Sequence, residues 1–329
     1  MERVISGIRP TGNLHLGNYF GAVKSFVQMQ NEYDCMFFIA DWHSLTTHPK
    51  PENIRNSVKT ILSEYLACGI DPEKAPLYAQ SDVKQVLELY LYFNMNTYLG
   101  ELERVTSFKE KVRQNPDNVN AGLLTYPTLM AADILMHKAD KVPVGKDQEQ
   151  NMEMARLCAR RFNRIYEVEY FKEPESFYFN QKAVKVPGLN GTGKMGKSEG
   201  NAIYLCDDED TIKKKVMRAV TDAGPTMLNQ EKPEVIQNLF TLMELVSDKQ
   251  TYDYFNDAYN GMTIRYGDMK KQLAHDINAF CAPIREKIVA YQNDDEHLAK
   301  VLKMGAERAS ERAEKTIEEV RQIIGFRRI

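Results

Sequence analysis

An α/β fold built on a doubly wound parallel sheet, followed by an all-helical C-terminal domain, is what this 329-residue chain predicts. Three observations carry that expectation. Short continuous apolar runs alternate with helically spaced apolar residues through the first part of the chain, no run is long enough to span a membrane, and past residue 200 the strand-like runs fade into charged, glycine-poor sequence. Val4-Ile5-Ser6 breaks into Gly7, Pro10, Thr11 and Gly12, as a strand leaving into a glycine-rich turn does. From Asn18 onward Phe20, Val23, Phe26, Val27 and Gln30 stand at mostly helical spacing, which predicts a helix ending near Asn31. Met36-Phe37-Phe38-Ile39-Ala40 then reads as a buried strand and completes a β-α-β unit.

The pattern repeats. Ile54, Val58, Ile61, Leu62, Tyr65 and Leu66 form one face of a helix that stops at Gly69, and Ala75-Pro76-Leu77-Tyr78-Ala79 is the next strand. Ligands of such sheets bind outside the carboxyl ends of the strands, so Ser6 through Asn18 and Asp41-Trp42-His43 should adjoin one site. Leu302, Ala306, Ala309, Ala313, Ile317, Val320 and Ile324 recur at steps of three and four, an amphipathic helix whose stripe is expected to pack on its own chain. Two domains are therefore expected, residues 1–200 and residues 201–329, with the last helix, 300–324, returning to the first.

Composition narrows the function classes. Hydrophobic residues are 43% of the chain and charged residues 27%, which are globular values, and the N-terminal Met1-Glu2-Arg3-Val4-Ile5-Ser6-Gly7 has no secretory apolar region, so a cytoplasmic protein with no membrane association is expected. The five cysteines are odd in number and form no C-x-x-C pair, which argues against a disulfide framework, and no protein metal site is expected. A net charge of −3 gives no general attraction to polyphosphate, so any nucleic-acid contact must come from local basic patches.

Two segments carry phosphate chemistry. Gly7-Ile8-Arg9-Pro10-Thr11-Gly12-Asn13-Leu14-His15-Leu16-Gly17-Asn18 lies between the first strand and its helix, where backbone N–H groups and the helix dipole favour an anion. His15 and Asn18 offer side-chain donors there, and Gly17 would let a flat adenine lie against the backbone; the alternative is an ordinary glycine-rich turn with a capping residue. Gly191-Thr192-Gly193-Lys194-Met195-Gly196-Lys197-Ser198 matches the P-loop pattern letter for letter. A P-loop needs a helix beginning at its Lys-Ser, whereas Glu199-Gly200-Asn201 and the strand-like Ala202-Ile203-Tyr204-Leu205 follow here. The other reading is a mobile loop that closes over ATP, with Lys194 and Lys197 neutralising charge as pyrophosphate departs.

An HxGN element after the first strand together with a distant K-M-x-K-S loop resembles the class I aminoacyl-tRNA synthetases. Their HIGH and KMSKS motifs stand in these places, and the resemblance implies a Rossmann-like catalytic domain. In Tyr126-Pro127-Thr128-Leu129-Met130-Ala131-Ala132-Asp133-Ile134-Leu135, a helix opened near its proline, Tyr126, Met130 and Asp133 share one face. A carboxylate among apolar neighbours needs a donor, which an indole N–H could supply; from spacing alone, pairing with Lys138 is as good a reading. The stretch is similar to the helix that reads the substrate side chain in tryptophanyl and tyrosyl synthetases. Tyrosyl relatives carry glutamine where Met130 stands, and a methionine packs on an indole but cannot satisfy a phenol hydroxyl, so the tryptophanyl branch is favoured. Gly100-Glu101-Leu102-Glu103-Arg104, Phe108-Lys109-Glu110-Lys111 and Val142-Pro143-Val144-Gly145-Lys146-Asp147-Gln148 also resemble the bacterial tryptophanyl type, through nearly the whole chain.

The resemblance implies a set of roles. Asp133 would accept from the indole, Tyr126 and Gln148 would hold the α-amino group, and Ile5, Gly7, His43, Met130, Val142 and Val144 would complete the tryptophan site. Gly145 and Asp147 look like ribose contacts. Lys111, Lys194, Lys197 and Ser198 would bind the β- and γ-phosphates and carry the catalysis, with Arg9, Pro10, Thr11, His15, Gly17, Asn18 and Met195 completing the ATP site. Four positions depart from common relatives: Ile5 replaces a phenylalanine, Arg9 a glutamine, Lys146 a glutamate and Gly196 a serine. Arg9 would either strengthen binding of the carboxylate or α-phosphate or serve as a surface residue. The implied reaction joins tryptophan and ATP, with Mg²⁺ bound on the nucleotide, into an adenylate that is transferred to tRNA(Trp), with no protein nucleophile. The helical region, with Lys270, Lys271, Arg327 and Arg328, would read the anticodon, and a homodimer is implied. Rival readings are a P-loop NTPase, a catalytically idle tRNA-binding paralogue and a smaller nucleotidylyltransferase.

Overall fold

Strand β1 (Arg3–Ile8) lies at the centre of a five-stranded sheet. The computed structural model describes residues 1–114, 116–145, 148–177, 185–191, 193–197 and 199–326. β1 pairs in parallel with β2 (Asp34–Ile39) along its whole length, from Arg3 opposite Asp34 to Ile8 opposite Ile39. β3 (Leu77–Ala79) lies outside β2, while β4 (Lys141–Pro143) and β5 (Glu175–Phe177) lie on the other side of β1. The order β3-β2-β1-β4-β5, all parallel, runs outward from β1 in both directions, so the topological switch point falls between β1 and β4.

Alternation along the strands explains why both faces are covered. Val4, Phe37 and Ile39 point into one buried cluster, whereas Ile5, Met36 and Phe38 point into the other. The first cluster holds α1 (Leu16–Asn18), α2 (Lys24–Met29) and α4 (Pro51–Ala67), and is continuous with the later helices α10 (Glu209–Met217), α11 (Glu234–Val246), α12 (Lys249–Asn260) and α13 (Tyr266–Gln292). Between β2 and α4 stands the short α3 (Asp41–Ser44). The second cluster packs α5 (Gln85–Asn96), α6 (Leu99–Leu102), α8 (Ala121–Met136) and α9 (Glu149–Ile165) against the opposite face; α7 (Thr106–Gln114) leads into α8. The last helix, α14 (Asp295–Ile324), serves both: Leu298 and Val301 belong to the first cluster, and Ala309, Ala313, Ile317 and Val320 to the second. Its stripe is thus buried on its own chain. It also shields the edge strand β3 so closely that a Cβ on Gly305 would lie 1.9 Å from the Leu77 carbonyl oxygen.

Several elements depart from the periodicity reading. The helix after β1 contains a π turn at Tyr19–Val23, and from Phe20 onward its buried positions are Phe20, Val23, Phe26, Met29 and Gln30, so Val27 is only half-buried. α8 begins at Ala121, capped by the Asn120 side chain on the Leu123 N–H, and therefore holds Pro127 in its interior. The strand expected from Ala75 is only Leu77–Ala79. Ala202–Leu205 joins no sheet; its Tyr204 forms a single antiparallel bridge with His15.

Candidate active site

The HxGN turn is built before any ligand is considered. His15 caps α1: its Nδ1 accepts from the Asn18 backbone N–H at 3.3 Å, and Asn18 Oδ1 accepts from the His15 N–H at 3.1 Å. The capping reading of these side chains is thus correct, and it orients them. With Nδ1 accepting, the imidazole proton sits on Nε2. Burial, then Lys197 and Lys194, push the ring's pKa down to about 4, so it is neutral at physiological pH. A Cβ on Gly17 would meet the His15 ring at 2.8 Å and Met195 Cβ at 3.4 Å, so only glycine lets the turn and the distant loop close on each other here.

That loop is held by backbone pairing. Leu16 N–H donates to the Ile203 carbonyl and Leu205 N–H to the Leu14 carbonyl, each at 3.0 Å, which fastens the segment after the lysines onto the HxGN turn. Asn201, buried, accepts from the Gly196 N–H at 2.9 Å and donates to Asn190 Oδ1 at 3.0 Å, bracing the loop from within. Lys197 Nζ donates to the carbonyls of Gly12 at 2.8 Å and Thr11 at 3.3 Å. Among the described residues no helix begins at the loop; Glu199 and Gly200 form a turn, Asn201–Ile203 belongs to no regular element, Tyr204 forms a bridge, Leu205 and Cys206 turn, and the next helix starts at Glu209. The P-loop alternative lacks the helix N-terminus it needs.

A cavity of about 620 Å³ opens at the switch point, outside the carboxyl ends of β1 and β4. It brings together Ile5, Gly7, Arg9, Gly17, Asn18 and His43 from the early segments with Lys111, Tyr126, Met130 and Asp133. Val142, Val144, Gly145, Gln148 and Lys194 close the remaining wall. Pro10, Thr11, His15, Met195 and Lys197 do not line it; they belong to the turn and loop alongside, with Met195 buried in the first cluster. Asp147 and Ser198 lie outside the described residues.

One end of the cavity is apolar with a single buried acid. Asp133 is 3% exposed and receives His43 Nε2 at 3.0 Å and Gln80 Nε2 at 2.8 Å to each carboxylate oxygen. Burial raises its pKa while His43 and Gln80 oppose the shift. Lys138 is engaged elsewhere, with Glu319 at 2.7 Å and over the Tyr170 ring, so the pairing of Asp133 with Lys138 is overturned. Helical spacing put them on neighbouring turns, but Lys138 lies beyond the end of α8, with positive φ. Gln80 went unnoticed in the sequence. Its signal was position, since it is the first residue past β3 and so lies at the carboxyl end of a parallel strand.

The other end is cationic. Lys111 Nζ stands 3.5 Å from the centroid of the Tyr126 ring, and its pKa is lowered to about 8 by burial and then by Arg9. Arg9 lines the cavity with its Nε buried and without a hydrogen-bond partner among the described residues, which is not the environment of a surface arginine. Tyr126 shares its hydroxyl with Ser107 and donates to Asn151 Oδ1 at 3.4 Å; Asn151 in turn donates to Gln148 Oε1 at 2.8 Å. Asn151, 1% exposed on α9, thus ties Tyr126 to Gln148 and was also missed, because a lone asparagine in a helix carries no pattern. In the helical region, Lys270 is buried and donates to the Ala219 carbonyl at 2.7 Å, and Lys271 pairs with Asp268 at 3.2 Å, so neither adds to a free basic patch. Arg327 and Arg328 lie outside the described residues.

A parallel sheet with an HxGN turn at its first switch-point loop, clasped by a lysine loop, is the architecture of a class I tRNA synthetase. Residues 1–282 match the family described as tRNA synthetases class I (W and Y), and the chain belongs to it. Within that family it belongs with the tryptophanyl branch. It is 69% identical over 327 residues to the tryptophan–tRNA ligase of Porphyromonas gingivalis, covering 99% of this chain and 100% of that one. To the tryptophan–tRNA ligase of Rickettsia conorii it is 40% identical over 330 residues, 99% of each chain. Its fold superposes with a TM-score of 0.90 and 36% identity on tryptophanyl-tRNA synthetase from Campylobacter jejuni complexed with ADP and tryptophan, covering 98% of this chain and 99% of that one.

Proposed function

We infer that the chain is a tryptophan–tRNA ligase: it activates tryptophan with ATP to tryptophanyl-AMP and pyrophosphate, then transfers tryptophan to the 3′-terminal adenosine of tRNA(Trp). The observation that carries this reading is one cavity with a buried acid among apolar side chains at one end and Arg9, Lys111 and Lys194 at the other. An indole fits the first end, its N–H donating to Asp133 against Met130, Ile5, Val142 and Val144. Gln80 and His43 hold the carboxylate in place, while Tyr126 and Gln148 receive the α-amino group.

In the first step a tryptophan carboxylate oxygen attacks the α-phosphorus in line, and the bond to the β-phosphate oxygen breaks. No protein nucleophile is needed. The protein contributes position and charge: Arg9 lies near the reacting groups, and Lys111, Lys194 and Lys197 neutralise the departing pyrophosphate. Lys197 now rests on the Gly12 carbonyl and must leave it to reach a phosphate. Neutral His15 presents its Nε2 proton to the nucleotide, Gly17 and Asn18 line its bed, and Gly145 faces the ribose. Pro10, Thr11 and Met195 shape the turn and loop, and by resemblance Asp147 and Ser198 add the remaining ribose and phosphate contacts. The phosphate end offers cations rather than carboxylates, which suits a triphosphate that brings its own Mg²⁺; the ion would add charge neutralisation on the phosphates. In the second step a ribose hydroxyl of the tRNA attacks the adenylate carbonyl and AMP departs.

The same reading places catalysis in residues 1–200 and anticodon recognition in residues 201–329, by stacking and edge contacts. The exposed stripe Leu87, Leu91, Met95 and Leu99, at steps of four on and just beyond α5, supports a second copy of the chain as the partner that covers it. No helix among the described residues is long and apolar enough to cross a membrane, and the reading assigns the protein to the cytoplasm. ATP–pyrophosphate exchange measured against all twenty amino acids tests the activity. Exchange with tryptophan alone is expected; exchange with tyrosine would sink the specificity, and none with any amino acid would point to an idle paralogue.

A further inference from the structure

Glu64 has no part in the site as assigned above. It lies on α4 behind the HxGN turn, fully buried, with Oε2 accepting from the Leu14 N–H at 2.8 Å and Oε1 without a hydrogen-bond partner among the described residues. A carboxyl is an expensive choice for that place. A neutral amide would accept from Leu14 equally well, whereas a half-satisfied acid carries a desolvation cost that pure packing does not explain. Lys197 holds the same short stretch, its ammonium donating to Gly12 and Thr11, so the cation and the acid fasten the two ends of the backbone from Thr11 to Leu14. Their charges act on each other. Burial pushes Glu64 up to about 8 against the pull of the Leu14 amide and Lys197, and burial lowers Lys197 while Glu64 opposes it.

We propose that Glu64 is a positioning residue for the adenylation step: it anchors the HxGN turn through Leu14 and, when ionised, holds Lys197 on the Gly12 carbonyl until that lysine moves to the triphosphate. The proposal rests on Lys197 being a phosphate-binding lysine. It makes the resting position of the loop lysine a property of α4 as well as of the loop, so the affinity for ATP is set in part by a residue that never touches it.

Glu64→Gln keeps the acceptor for Leu14 and removes the charge. In tryptophan-dependent ATP–pyrophosphate exchange at about pH 9, where Glu64 is ionised, the KM for ATP should fall about fivefold relative to the unsubstituted chain at the same pH, the size of a modest charge-pair coupling, with kcat and the KM for tryptophan unchanged within about twofold. ATP binding measured by calorimetry should show the same gain, and the gain should vanish when Glu64→Gln is combined with Lys197→Met. An unchanged KM for ATP, an equal change in both KM values, or a gain that survives in the double variant would each overturn the proposal. Glu64→Met, apolar and of similar length, is the second probe if the glutamine variant does not fold; failure of both to fold also overturns it, since the acid would then be a folding group. Lys197→Met alone with unchanged ATP affinity would instead refute the role of Lys197 on which the proposal rests.

Discussion

Asp133 shows how a side chain acquires its chemistry from its surroundings. At 3% exposure it is already bonded by His43 and Gln80, so its orientation is set before a substrate arrives. Asp133→Ala should leave the fold intact while lowering kcat/KM for tryptophan by about 10²–10⁴, the range seen when a buried polar partner of a substrate N–H is lost. The KM for ATP should change little, and pyrophosphate exchange at varied tryptophan separates the two. Lys111 carries a pH signature. Its pKa is lowered to about 8, so in the free enzyme the ammonium is present below that pH and is lost above it, and kcat/KM for ATP should decline on the alkaline side of about 8. Arg9→Gln removes one of the two causes of that lowering and should move the decline to higher pH; an unmoved profile would detach Arg9 from Lys111. His15 behaves in the opposite sense. Its pKa is depressed to about 4, so its neutral form contributes stability that is complete above the ordinary histidine pKa of about 6.5 and is lost as pH falls toward 4.

At the level of elements, the lysine loop is the segment whose sequence pointed in two directions. Its letters spell a P-loop, and only the absence of a following helix separated the two readings; the structure bears this out, with non-helical chain from Asn201 to Leu205 pinned through Ile203 and Leu205 to Leu16 and Leu14. Gly196 is under no conformational constraint, for its Cβ would meet Glu199 Cγ at an ordinary 3.5 Å and its φ is not positive. Gly196→Ser should therefore keep the exchange rate within about twofold, whereas loss of ATP binding would revive the NTPase reading. The helix that carries Tyr126, Met130 and Asp133 was legible as a face but not in its extent. Pro127 suggested an opening, yet α8 starts at Ala121, because a cap at Asn120 and burial on both sides of the proline outweigh one missing hydrogen bond. The π turn at Tyr19–Val23 was likewise unreadable, since its single added residue only blurs the helical period. It places Gly21, Ala22 and Val23 on the cavity wall.

On the scale of the whole molecule, α14 joins what the order of the chain separates. Its first part is buried with the C-terminal helices and its second part with the sheet face behind the cavity, and Arg312 reaches Asp34 of β2 at 2.8 Å. Gly305→Ala would drive a Cβ onto the Leu77 carbonyl, so the helix must lift; a loss of about 1–3 kcal/mol is expected. A thermal melt should show Tm lower by several degrees, and an unchanged Tm would mean that α14 does not bear on β3 as tightly as the structure indicates. Periodicity and glycine placement are local properties of the chain, so the alternation of strands and helices, the HxGN turn, the lysine loop and the face with Tyr126, Met130 and Asp133 could all be read from residue order. The three-dimensional packing was needed to show that Asp133 is held by His43 and Gln80 rather than Lys138, that Asn151 links Tyr126 to Gln148, and that Glu64 and Lys197 hold the same stretch of the HxGN turn. Those partners come from elements far apart in the chain, and a lone buried polar residue leaves no periodic trace, so its meaning appears only when the sheet brings the strand ends together.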